Sequence, residues 1–202
     1  MKVEKNKKIK LAIFASGSGS NAEAIMKYFL HHPQIKVALL LSNNAEAFAL
    51  ERAKRFHVPT RVFNKSQFRE SDEVVRWLKE SNITHLVLAG FLWLLPESLI
   101  QSFPERIVNI HPSLLPKFGG KGMYGMKVHQ AVKEAGEVQT GITIHEVNAK
   151  YDDGKILLQA SCEVVPTDTP ETIAAKVNAL EYEHFPKTIE RWALSLNLST
   201  LF

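Results

Sequence analysis

Asn109-Ile110-His111-Pro112-Ser113 sets an amide and an imidazole two residues apart at the end of an apolar run. In extended backbone, residues i and i+2 project from the same face, so both side chains point to one side. Pro112 stops the strand and presents His111 at its rim. An amide donor beside an imidazolium suits a carbonyl oxygen that gains negative charge in a transition state, because both groups can hydrogen-bond it. Neither residue is a good acyl-accepting nucleophile, and no cysteine or Gly-x-Ser-x-Gly elbow accompanies them. Direct attack by a substrate group is therefore expected, rather than a covalent acyl-enzyme.

A second group of residues points to an anion. Ser16-Gly17-Ser18-Gly19-Ser20-Asn21 joins the first apolar run to an amphipathic stretch. Small residues let a ligand approach the backbone, and the N–H groups at a helix start attract negative charge. Gly17-x-Gly19-x-x-Ala22 superficially fits a dinucleotide fingerprint. That fingerprint needs an acid at the end of the next strand, whereas Leu41-Ser42-Asn43-Asn44 has none before Glu46. The loop also lacks the lysine of a nucleoside-triphosphate loop. A single phosphomonoester fits best.

The elements that must position these groups alternate. Ile9–Ala15, Ile35–Ser42, Thr60–Phe63, His85–Ala89 and Arg106–Ile110 read as strands. Helices are expected over about Asn21–Leu30, Ala45–Phe56 and Ser66–Glu80, where apolar residues fall at roughly helical spacing. This alternation predicts an α/β, doubly wound, mainly parallel sheet covered on both faces. Thr140–Val147 and Ile156–Val165, joined through Asp152-Asp153-Gly154, predict an antiparallel C-terminal extension. Thr169-Pro170 starts a long terminal helix, with Thr as cap and Pro in the first position, running to about Leu194. Residues 9–202 are expected to form a single domain.

The 202 residues carry a net charge of +4, yet residues 1–10 hold five lysines and one glutamate. The remainder, with 20 basic and 20 acidic residues, is neutral, so no nucleic-acid surface is expected. Residues 1–8 read as a flexible basic terminus. No apolar run approaches the roughly 20 residues of a membrane span. The basic start lacks the apolar stretch of a secretory signal, and the lone Cys162 suits a reducing cytoplasm. His31-His32 lack partners at metal-ligand spacing, so no metal is expected.

Asn109-Ile110-His111-Pro112-Ser113-Leu114-Leu115-Pro116 resembles the active-site signature of the folate-dependent formyltransferases. With Ser16–Asn21 and Ala89-Gly90-Phe91, the resemblance covers about residues 9–190 and is similar to the purine-pathway branch of that family. It implies that the amine of a glycinamide ribonucleotide attacks the formyl carbon of 10-formyltetrahydrofolate, the cosubstrate. Carried over by position, Gly19, Ser20 and Asn21 hold the substrate phosphate, Pro112 contacts substrate, and Glu181 takes the ribose. Leu92, Trp93, Leu94 and Leu95 form a strand edge that holds the pterin ring, with Asn109 beside the cofactor's formyl group. Asn109 and His111 activate that group, while Asp152 orients His111 and an ordered water. Position in the motif, not chemistry, favours Asp152 over Asp153. A nearby carboxylate is expected to favour protonated His111.

The chain departs from the family pattern in Phe118-Gly119-Gly120-Lys121-Gly122-Met123-Tyr124-Gly125, which is longer and richer in glycine. Trp93 stands where a basic residue is common. Arg61, Lys65 and Arg69 are candidates for the folate glutamate tail. The expected partners are small molecules only, in a monomer or homodimer.

Overall fold

The computed structural model describes residues 8–198. Seven strands form one sheet in the order β3-β2-β1-β4-β5-β6-β7. They are β1 Ile9–Phe14, β2 Ile35–Ser42, β3 Thr60–Val62, β4 His85–Leu88, β5 Ile107–His111, β6 Gln139–Glu146 and β7 Ile156–Glu163. The β1–β5 pairings are parallel, whereas β6 and β7 run antiparallel. The doubly wound sheet with an antiparallel extension agrees with the sequence expectation. Its order reverses between β1 and β4, which opens a crevice beyond their carboxyl ends.

Alternation along each strand sends side chains to two cores. Leu11, Ile13, Val108, Ile110, Ile142 and Ile144 join α1 (Ser20–Phe29), α2 (Phe48–Arg55), α6 (Met126–Glu134) and α7 (Pro170–Leu198) on one face. Ala12, Phe14, Leu86, Leu88 and Ile107 face α3 (Lys65–Arg69), α4 (Glu73–Glu80) and α5 (Glu97–Ser102). Each fully buried large side chain contributes about 1.5–3 kcal/mol. At the rim of the second core, Phe63 stacks on Phe68 at 4.9 Å between ring centroids. Trp93 meets these rings edge-on or tilted at 6.0 and 5.7 Å.

Several boundaries differ from the expectation. The stretch 66–80 is two helices, because Glu70-Ser71-Asp72 breaks the periodicity and Asn64 with Gln67 forms a capping box for α3. Helix α2 begins at Phe48 rather than Ala45, since the Asn44 side chain accepts from the N–H of Glu46 and holds a turn there. The short α5 and α6 were not anticipated. Helix α7 starts at Pro170, with Thr169 Oγ1 accepting from the N–H of Thr172, and extends beyond Leu194. Of the basic segment 1–8, residues 1–7 lie outside the described residues.

Candidate active site

A cleft of about 660 Å³ lies at the carboxyl ends of β1, β4 and β5. Its floor at one end is the turn after β1. Gly19 adopts φ +72° directly before α1, and a Cβ there would come within 2.5 Å of Ala49 Cα. Glycine is thus required both by conformation and by the close approach of α2. The first N–H groups of α1 have no intrahelical acceptor, and Gly17 to Asn21 line this end of the cleft. Asn21 does not cap its helix: its Nδ2 donates to Glu181 Oε2 at 2.8 Å, tying α1 to α7. Burial pushes the Glu181 carboxyl above its ordinary pKa, partly offset by the Asn21 hydrogen bond.

Leu92 to Leu95 line the middle of the cleft, but in an irregular loop after β4 and not as a strand edge. Ser16 fixes this loop to the first turn. Its hydroxyl accepts from the N–H of Leu92 at 3.2 Å and donates to Asn43 Oδ1 at 2.6 Å. The three cationic candidates for a folate tail lie outside the cleft lining. Arg61 stacks over Trp77 and Lys65 opens α3, while Arg69 reaches toward the Leu94 carbonyl at 3.5 Å. Lys121 does line the cleft, on the glycine-rich loop.

At the far end β5 carries Asn109 and His111 on one face, as their spacing requires. His111 is buried; its Nε2 donates to the Phe118 carbonyl at 2.7 Å, and its Nδ1 lies 3.5 Å from Asp152 Oδ2. Asp152 Oδ2 also accepts from the N–H of Gly120 at 2.9 Å. Asp153 instead points outward, with its carboxylate 3.6 Å from Lys150 Nζ. Asp152 is therefore the acid that meets His111. Pro112 follows β5 at the cleft wall.

The electrostatics correct one expectation. Burial pushes the pKa of His111 down, and this outweighs the opposing pull of Asp152 and the Phe118 carbonyl. Burial therefore works against the protonated ring that the Asp152 carboxylate favours. For Asp152, burial pushes the carboxyl up. The neighbouring imidazoles of His145 and His111 and the hydrogen bond from the Gly120 N–H outweigh it and leave the carboxyl below its ordinary value.

Two residues of the site were not assigned from sequence. His145 lies opposite Asn109 in the β5–β6 register, with its Nε2 3.2 Å from Asn109 Nδ2. His129, on α6, is buried in the cleft wall, and burial and the charge of His111 lower its pKa. Only the strand register could have paired His145 with Asn109, and α6 itself went unrecognised. Among the described residues, no group of three or more His, Cys, Asp or Glu side chains is arranged to hold a metal.

The crevice thus holds an amide and an imidazole that could stabilise an oxyanion at one end and a glycine-rich helix start that could take an anion at the other. Residues 9–189 match the formyl transferase family, and the chain belongs to that family. It is 44% identical to the chloroplastic phosphoribosylglycinamide formyltransferase of Arabidopsis thaliana over 87% of its own length, and spans 61% of that relative. It is 36% identical to phosphoribosylglycinamide formyltransferase of Bacillus subtilis, over 93% of this chain and 96% of that protein. The crystal structure of glycinamide ribonucleotide transformylase 1 from Symbiobacterium toebii superposes with a TM-score of 0.86 at 31% identity, covering 95% of this chain and 90% of that one.

Proposed function

We propose that this chain transfers the formyl group of 10-formyltetrahydrofolate to the amine of 5'-phosphoribosylglycinamide in de novo purine biosynthesis. The observation that carries the reading is one continuous cleft joining the Gly17–Asn21 turn to Asn109, His111 and Asp152. The phosphate binds the N–H groups of Gly19, Ser20 and Asn21, Glu181 accepts from the ribose, and Pro112 packs against substrate. The pterin lies along the backbone of Leu92, Trp93, Leu94 and Leu95, which places the formyl group beside Asn109.

The amine lone pair then attacks the formyl carbon, and the C=O electron pair moves onto oxygen. Hydrogen bonds from Asn109 and His111 hold that oxyanion, with the His111 Nε2–H exchanging the Phe118 carbonyl for the formyl oxygen. Asp152, ionised at neutral pH, takes the ammonium proton through water and returns it to N10 of the folate as the C–N bond breaks. The reaction needs no metal, nucleic acid or membrane, and a cytoplasmic monomer or homodimer suffices.

The test is to mix the protein with 10-formyl folate and glycinamide ribonucleotide and follow deformylation by absorbance. The expected result is turnover only when the amine is present. Equal turnover with water alone would assign a hydrolase instead, and no turnover in either case would overturn both readings.

A further inference from the structure

We infer that His145 is a positioning residue for Asn109: held in one neutral tautomer, it fixes the side-chain amide so that an N–H is presented to the reacting carbonyl. The inference rests on the catalytic reading of Asn109 given above. It begins with a carbonyl. His145 Nδ1 lies 2.8 Å from the backbone oxygen of Glu146, which can only accept, so the ring proton sits on Nδ1. Nε2 of the neutral ring is then bare and needs a donor. The group within reach is Asn109 Nδ2 at 3.2 Å; Asp152 Oδ1, at 3.6 Å, is an acceptor beyond hydrogen-bond distance.

That contact settles a choice that Asn109 cannot make alone, because an amide presents a donor or an acceptor depending on a half-turn about its last bond. The flipped amide would set Oδ1 against the bare Nε2 and offer no hydrogen to an oxyanion. In the observed orientation one Nδ2 hydrogen is spent on His145, and the second remains for the cleft that Asn109 lines. His145 is itself 2% exposed, so its ring is held chiefly by these protein partners.

The protein builds the support for this tautomer into its backbone. The antiparallel register sets His145 directly across from Asn109. The N–H of Val147 donates to the Ile107 carbonyl at 3.0 Å, which fixes the peptide whose oxygen His145 uses. Gly154 packs against that same oxygen so closely that a Cβ would lie 1.6 Å from it.

The decisive measurement combines a nitrogen NMR spectrum with a mutant cycle. In protein labelled with nitrogen-15 histidine, His145 should show a protonated Nδ1 and a bare Nε2 at neutral pH; a proton on Nε2 overturns the inference whatever the variants do. Asn109→Ala should lower kcat by about 10²-fold. His145→Phe should lower kcat by ~10-fold or more while KM for each substrate changes less than about 3-fold. The double variant should fall no more than ~2-fold below Asn109→Ala alone, because His145 acts through the amide. His145→Gln, whose carbonyl can accept from Asn109, should recover much of the loss. Independent, multiplying losses, or a His145→Phe enzyme with normal kcat, would overturn the positioning role. Near-normal turnover in Asn109→Ala would instead sink the catalytic reading on which it stands.

Discussion

Burial and charge act on His111 in opposite directions, and burial wins. An Nε2–H that donates to a carbonyl at rest suits an oxygen that becomes anionic only during reaction. His111→Ala and Asp152→Asn should each lower turnover by at least ~10²-fold with modest change in substrate binding, measured by steady-state kinetics. Asp153→Asn should stay within ~2-fold of the parent, because its carboxylate is exposed and meets only Lys150. Glu181 poses a different balance. Its raised pKa means that ionisation is less favourable in the folded chain, so the stability it leaves to the protein declines as pH rises from its unfolded value toward its folded one. Glu181→Gln should therefore keep or raise the melting temperature at pH 8. The same variant should raise KM for the ribonucleotide by about tenfold, as a charged acceptor becomes a neutral one.

At the scale of elements, the turn between β1 and α1 shows how little slack the site has. Gly19→Ala should cost about 2–4 kcal/mol in urea unfolding, from a left-handed φ and a collision with α2. Gly17→Ala, with nothing within 4 Å of its Cβ, should be nearly neutral in the same measurement. The strands that carry the site were legible in the sequence because each is a short apolar run closed by a turn. Asn109 and His111 could be placed on one face from spacing alone. The helix Met126–Glu134 was hidden behind a glycine-rich stretch that reads as loop, and with it went His129. His145 is not assignable from sequence because its partner is 36 residues away, across a register that no local pattern encodes. The electrostatic balance at His111 is hidden for a related reason: sequence names its charged neighbour but not the depth of its burial.

At the scale of the whole molecule, β5 is a seam. Parallel strands bring the Gly17–Asn21 turn and the loop Leu92 to Leu95 to one side of it, and the antiparallel hairpin brings His145 and Asp152 to the other. The opposite end of the sheet carries a separate electrostatic load. Burial, with Arg106 beside it, pushes the pKa of His85 down to about 4. The unfolded chain therefore binds more protons there than the folded one between that value and about 6.5, so this contribution is intact above 6.5 and is lost as pH falls. Stability should drop by about 2 kcal/mol more between pH 7 and pH 5 in the parent than in His85→Phe, as read from urea midpoints. The aromatic rim described above has a use of another kind. Of the three tryptophans, Trp77 lies under Arg61 and Trp192 packs against His85, while Trp93 alone lines the cleft. With Trp77 and Trp192 replaced by phenylalanine, emission from Trp93 becomes a built-in optical gauge of occupancy. It should dim as a folate fills the middle of the cleft and stay nearly constant when inorganic phosphate occupies only the glycine turn.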